Sequence, residues 1–262
     1  MRIFHGFDNL KGQIVAPVCT LGSFDGIHRG HRELIGEVIS QAKACRGESV
    51  VLTFEPHPRI ALGRAEGLTL LTTLDEKATL LEELGVDNLI VIPFDEVFSR
   101  LAYRDFFERY LVGKLNIKHF VMGYNHRLGR GSEGNFATLS ELGRSHGFEV
   151  SQIKEWRESD DKVSSTVIRN LITEGEISHA TRLLGRPYMV IGEVDSSGQL
   201  RVGSPIKTLP PKGLYIAKID NTDAEIEITN SEHIGINGYA PQHSGKRVKI
   251  ELSTDSKNRE KC

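Results

Sequence analysis

Several things are scarce in these 262 residues, and each scarcity narrows the reading. There are only three cysteines, Cys19, Cys45 and Cys262. They form neither a CxxC pair nor a disulfide framework, which excludes a stapled mini-scaffold and a thiolate zinc site. No apolar run approaches the ~18 residues of a membrane-spanning helix. The opening stretch, MRIFHGFDNLKGQIVAP, lacks a basic-then-apolar leader pattern. No charge sign dominates: 33 basic against 35 acidic residues give a formal net charge of -2. That leaves no bulk positive field to hold nucleic acid. Internal repeats, low-complexity tracts and a GxxxxGK[ST] phosphate loop are absent too. The expectation is a cytoplasmic protein in a reducing compartment, with neither a nucleic-acid nor a membrane partner. Its oligomeric state is not readable. What remains is ordinary globular material, 39% hydrophobic and 26% charged, enough for one large domain or two smaller ones.

The first two thirds alternate apolar strands with amphipathic helices. Strands are predicted over Ala16–Gly22, Ser49–Phe54, Asn88–Phe94, Lys118–Gly123 and Phe148–Ile153. His31, Leu34, Ile35, Val38, Ile39 and Ala42 have the spacing of one helix face. Thr73 and Glu76 read as a capping box for a helix that ends at Gly85. Helices are also expected over Phe98–Leu115 and Asn135–His146, and one or two short ones over Ser164–Leu184. Strands separated by helices imply parallel pairing, hence an α/β fold with a doubly wound parallel sheet. Such sheets bind ligands beyond the carboxyl ends of their strands where the order reverses. The loops leaving Ala16–Gly22 and Lys118–Gly123 are therefore expected to carry chemistry. After Gly185-Arg186-Pro187 the pattern changes to short strands at Tyr188–Val194, Leu200–Val202, Gly213–Ile219, Ala224–Ile228 and Arg247–Leu252. These imply a small antiparallel β domain. The expected division is 1–186, 187–252 and a polar tail at 253–262.

The most informative segment is Gly22-Ser23-Phe24-Asp25-Gly26-Ile27-His28-Arg29-Gly30-His31. A strand ends, a glycine-punctuated loop turns and a helix begins. Glycine lets backbone approach a ligand closely, and the free N–H groups of a helix start face an anion. His28 and His31 lie three apart, and two imidazoles on one helical face would donate hydrogen bonds to phosphate oxygens. The plainer reading is a tight turn with two solvated histidines. A zinc pair would need a third ligand, and none is evident. In Ser164-Ser165-Thr166-Val167-Ile168-Arg169, Ser165 or Thr166 suits a helix cap, and the same hydroxyls with Arg169 suit a triphosphate. Gly129-Arg130-Gly131-Ser132-Glu133-Gly134 matches GxGxxG but comes too late for a dinucleotide-binding first turn. A basic loop bringing Arg127 and Arg130 toward phosphate fits it better.

The ten-residue string resembles the GxFDGxHxGH form of the nucleotidyltransferase signature. Thr53-Phe54-Glu55-Pro56-His57-Pro58-Arg59, Gly123-Tyr124-Asn125-His126-Arg127-Leu128-Gly129, the Ser164–Arg169 string and Leu183-Leu184-Gly185-Arg186-Pro187-Tyr188 follow in the same order. Up to Tyr188 the chain resembles the adenylyltransferase module of prokaryotic bifunctional riboflavin kinase/FAD synthetases. The resemblance implies transfer of AMP from ATP to FMN, with magnesium whose ligands are unknown. It implies catalytic roles for His28, His31, Asn125 and Arg169. Nucleotide and phosphate binding would fall to Gly22, Phe24, Gly26, Gly30, Ser164, Ser165 and Thr166, and flavin contacts to Asn125, Arg127 and His57. Asp25 would shape the loop rather than react. The family's G-x-(D/N)-F-x-F-G loop carries two aromatics where this chain has His126 and Leu128, which takes two rings from the expected flavin contact.

The second domain departs further. Its family counterpart is a six-stranded barrel with a GxPTAN string whose Thr and Asn hold the magnesium nucleotide. The nearest match is Gly203-Ser204-Pro205-Ile206-Lys207-Thr208, with Ile206 in the threonine's place and no asparagine following. Around Gly235-Ile236-Asn237-Gly238-Tyr239 no catalytic glutamate is evident. A degenerate kinase-like remnant without riboflavin kinase activity is the expectation. Two other functions stay open at this point: nucleotide transfer to another phosphorylated acceptor such as phosphopantetheine, and a regulator that binds flavin or nucleotide without catalysis.

Overall fold

One strand gives too faint a signal to be read from sequence. β1 (Arg2–His5) pairs parallel with β4 (Asn88–Pro93), from Arg2 against Asn88 to His5 against Val91. It has four residues, mostly exposed, so it shows no apolar run. The computed structural model describes residues 1–8, 10–155, 163–238 and 241–254. Besides β1, one sheet contains β2 (Val18–Leu21), β3 (Ser49–Glu55), β4 (Asn88–Pro93), β5 (His119–Met122) and β6 (Glu149–Gln152). All pairings are parallel, in the order β1-β4-β3-β2-β5-β6. Every residue of β2 and β5 is buried, the mark of central parallel strands covered on both faces. The order reverses between β2 and β5, so the loops leaving these two strands flank the switch point.

The helices of this region are α1 (Arg29–Ala44), α2 (Pro58–Ala61), α3 (Leu74–Glu83), α4 (Glu96–Ser99), α5 (Tyr103–Phe106) and α6 (Phe136–His146). The expected capping box forms: Thr73 N–H donates to Glu76 Oε2 at 2.9 Å and Glu76 N–H to Thr73 Oγ1 at 3.2 Å. The single helix expected over Phe98–Leu115 is instead three pieces. α4, capped by Asp95, stops at Ser99, and Ala102 is extended. α5 then continues as a π-helical turn over Phe107–Val112. Phe107 and Leu111 of this turn are both fully buried.

The remaining elements are α7 (Ser165–Thr173), α8 (Ile177–Leu184), β7 (Tyr188–Val194), β8 (Leu200–Val202), β9 (Gly213–Ile219), β10 (Thr222–Ile228), β11 (His233–Ile236) and β12 (Arg247–Leu252). The six strands close an antiparallel barrel in the order β10-β11-β8-β7-β12-β9. β11 is the strand that five-strand counting misses; it places Ile236 against Ile226 and Ile234 against Leu200. Tyr239 and, within the expected tail, residues 255–262 lie outside the described residues.

The chain divides into two compact units that interleave in sequence. Unit 1 takes Met1–Phe24, Gly30–Glu66 and the stretch from Ala78 through β6; unit 2 takes Asp25–Arg29, Gly67–Lys77 and the described residues from Val163 onward. The core of unit 2 is shared: Ile168 and Ile172 of α7, and Ile177, Leu183 and Leu184 of α8, pack in one cluster with the barrel's Tyr188, Val190 and Tyr215. Among the described residues no helix is long and apolar enough to cross a membrane.

Candidate functional site

The GSFDGIH loop adopts backbone that few residues tolerate: Phe24, Gly26 and Ile27 have φ of 47°, 84° and 39°. In unit 1, Gly22 makes room for the Phe24 ring, since a Cβ there would sit 3.1 Å from it. Phe24 in turn meets the ring of His31 edge-on at 5.3 Å between centroids. Gly30 and His31 lie in the first turn of α1.

In unit 2, Asp25 ties the loop together. It is buried, and its Oδ1 accepts from Thr72 N–H at 3.0 Å and from the Thr72 hydroxyl at 3.3 Å. Its Oδ2 accepts from Arg169 Nη2 at 2.9 Å, and its backbone carbonyl accepts from the Ser165 hydroxyl at 2.8 Å. Gly26 N–H donates to the Thr72 hydroxyl at 3.0 Å, while Gly26 O accepts from Arg186 Nη2 at 2.8 Å. The junction string thus has a local purpose: Gly185 ends α8 in the left-handed conformation, and Arg186 reaches back to the loop. A Cβ on Gly26 would fall 2.8 Å from Leu71 Cδ1.

The loop and the start of α7, about 140 positions apart in sequence (140 for Asp25 and Ser165), therefore meet within one unit. Ser164, not Ser165 or Thr166, caps α7, its hydroxyl accepting from Val167 N–H at 3.3 Å. Ser165 is free for the loop because its neighbour takes the cap, and Thr166 is exposed in the first turn. Arg169 Nε is buried with no hydrogen-bond partner among the described residues. Burial pushes the pKa of His28 down to about 4 against the pull of Asp25, so at neutral pH it is a neutral imidazole with one donor. Neither histidine belongs to a metal cluster: the described residues contain no group of three or more His, Cys, Asp or Glu placed to hold an ion.

Unit 1 holds a separate cavity of about 360 Å³, beyond the carboxyl ends of β2, β3, β4 and β5. Gly22, His57 and Arg127 line it; Asn125 does not and is exposed. His57 caps α2, its Nδ1 accepting from Arg59 N–H at 3.2 Å. The apolar wall is a set of phenylalanines that motif reading missed. Phe54, Phe94 and Phe98 pack edge-on or tilted with centroids 5.1 to 5.8 Å apart, and Phe106 lies 5.5 Å from Phe98. The available signal was positional: Phe54 and Phe94 stand at the carboxyl ends of paired strands. These rings supply the aromatic surface that His126 and Leu128 do not.

The GxGxxG string has a steric explanation. Leu128 bridges Gly134, and a Cβ on Gly129 or Gly134 would fall within 3 Å of Tyr103. The kinase-like string is likewise absorbed into structure. Leu70 N–H donates to Ile206 O, and Thr208 N–H to Leu70 O. Lys207 Nζ, wholly buried, donates to Leu71 O, Glu76 Oε2 and Met189 O at 2.6, 2.7 and 2.9 Å.

The FAD synthetase family model matches residues 12–167. The chain is 32% identical over 262 aligned residues to the bifunctional riboflavin kinase/FMN adenylyltransferase of Bacillus subtilis, covering 94% of this chain and 79% of the relative. It is 36% identical over 231 residues to the enzyme of the same name from Listeria monocytogenes, covering 85% and 71%. A crystal structure described as a macrolide-efflux protein from Streptococcus pneumoniae superposes with a TM-score of 0.78 at 23% identity, covering 96% and 98% of the two chains, a likeness of fold. With the signature loop intact and most of each relative spanned, the chain belongs to the FAD synthetase family.

Proposed function

We propose that this protein is an FMN adenylyltransferase: it transfers AMP from ATP to FMN, giving FAD and pyrophosphate. The observation that carries this reading is the knot of Asp25, Ser165 and Arg169, which sets the signature loop beside a hydroxyl-rich helix start. Family membership supplies the substrates, and the phenylalanine-walled cavity suits a flat heterocycle better than an aliphatic acceptor such as phosphopantetheine.

The reaction is an in-line displacement. An oxygen of the FMN phosphate forms a bond to the α-phosphorus of ATP. The bond from that phosphorus to the bridging oxygen breaks, and pyrophosphate leaves with the electron pair. The FMN phosphate is already anionic, so catalysis rests on positioning and charge stabilisation rather than on a strong base. His28 and His31 donate to phosphate oxygens. Arg169, oriented by Asp25, presents its guanidinium, and Thr166 and the first N–H groups of α7 offer further donors to phosphate. Gly22, Phe24, Gly26 and Gly30 shape the loop for close approach, while Asn125, Arg127 and His57 serve the flavin side. When bound with ATP, magnesium would offset charge on the triphosphate. Asp25 is committed to Arg169 and Thr72 and is not assigned to the metal.

Residues 1–186 carry the transferase and 187–252 a kinase-like barrel without riboflavin kinase activity. Two facts support its loss of function: Ile206 offers no cation ligand, and Lys207 is spent on a buried ion pair. A cytoplasmic protein acting on small molecules completes the reading. Product chromatography with ATP and magnesium tests both halves. FAD from FMN is expected; its absence refutes the transferase. FMN formed from riboflavin refutes the loss of the kinase.

A further inference from the structure

The cavity of unit 1 is mostly carbon, and its polar groups are few. The Ser99 hydroxyl donates to Glu96 O at 2.7 Å, and His57 Nδ1 is taken by the cap of α2. His126 differs. Its backbone N–H is satisfied by Gly123 O at 3.2 Å, but its ring has no hydrogen-bond partner among the described residues while lining the cavity. The phenylalanine set lines the same cavity. Desolvation pushes its pKa down to about 4, so at neutral pH the ring offers one N–H and one lone pair. The residue is half-buried, so its ring nitrogens face the open cavity and are available to a ligand.

We propose that His126 is a specificity-determining residue of this cavity, its imidazole hydrogen-bonding the imide edge of the flavin ring while the phenylalanines hold the ring's apolar part. The inference rests on the FMN reading above and adds the atom-level contact that selects the heterocycle. The imide edge alternates carbonyl, N–H and carbonyl, and the lone pair of the neutral imidazole accepts from that N–H. Arg127, exposed at the mouth of the cavity and without an ion-pair partner among the described residues, is left for the anionic part of the ligand.

The test uses the full chain and two ligands, FMN and its N3-methyl derivative, whose imide N–H is blocked. Binding is followed by flavin fluorescence in the unmodified protein, in His126→Phe and in His126→Gln, with circular dichroism to verify folding. The unmodified protein is expected to prefer FMN by roughly tenfold, the weight of one neutral hydrogen bond. His126→Phe should bind both ligands alike. His126→Gln, which keeps a donor and an acceptor, should retain part of the preference, and the KM for ATP should stay constant in both variants. FMN binding without preference in the unmodified protein, or an undiminished preference in His126→Phe, overturns the role of His126 and leaves the FMN reading standing. Should His126→Phe not fold, His126→Leu takes its place with the same two outcomes. No binding of either flavin by the unmodified protein removes the FMN reading itself, and this inference with it.

Discussion

Replacing Lys207 by methionine should remove a large part of the stability of unit 2. The ammonium sits 4.4 Å from the Tyr188 ring centroid and donates three hydrogen bonds, one of them to Glu76; neither charged group reaches solvent. Methionine has similar length but no donor. The change strands the Glu76 carboxylate, which would keep only the N–H groups of Ile191 at 2.8 Å and Thr73 at 2.9 Å. Breaking a buried pair from one side costs about 3–5 kcal/mol. Whole domains hold only about 5–15 kcal/mol, so the loss should show as a large fall in the urea midpoint by far-ultraviolet circular dichroism. Lys207→Met combined with Glu76→Gln should recover much of the deficit, because the uncompensated charge is gone while an acceptor for Ile191 N–H remains. A single-variant loss under about 1 kcal/mol would refute the reasoning, since it would mean that the carboxylate finds water or a proton without penalty.

Three further expectations follow from the same geometry. His28→Ala and His31→Ala should each lower kcat about 10²–10³-fold with unchanged circular dichroism; near-normal turnover in both would defeat the assigned roles. Burial holds the pKa of His28 and of His126 at about 4, below the 6.5 of a free imidazole. Between those values the unfolded chain binds more protons, so stability is full above pH 6.5 and declines as pH falls toward 4, by up to about 1.4 kcal/mol per unit for each histidine. Urea midpoints measured at several pH values should show this slope, and His28→Gln should flatten it; an identical slope in that variant would assign the effect to other groups. Gly26→Ala forces φ of 84° on a residue with a Cβ and drives that atom toward Leu71, so a loss of about 1–3 kcal/mol is expected in thermal or urea unfolding.

The sheet was legible because β2, β3, β4 and β5 are nearly continuous apolar runs, and the Thr73–Glu76 box announces its helix through local chemistry. β1 and β11 were not: β1 is mostly exposed and shows no apolar run, and in β11 a histidine and a glycine alternate with its two buried isoleucines. Likewise, nothing local marks the break at Ala102, whose extended backbone separates α4 from α5. On the site, the signature loop and the Ser164–Arg169 string were readable as motifs, and Ile206 as a lost ligand. The division of labour between Ser164 and Ser165 depends on where the helix begins, a matter of one residue that pattern alone does not resolve. The phenylalanine wall depends on strand order, since Phe54 and Phe94 become neighbours only when β3 and β4 pair. The burial of Lys207 depends on a segment, Gly67–Lys77, more than a hundred positions away.

That segment has a consequence for anyone who would dissect the gene. A fragment starting at the β7 boundary would encode all six staves of the barrel yet omit Leu71, Glu76 and the two helices that plug it, baring Tyr188 and an orphaned ammonium. The complementary fragment would end with α7 and α8 deprived of their apolar seat. Two catalytic names joined by a slash suggest cassettes that can be cut apart and shuffled; in this chain the thread crosses between the units too often for scissors, and such halves should be recovered as aggregates rather than as working parts.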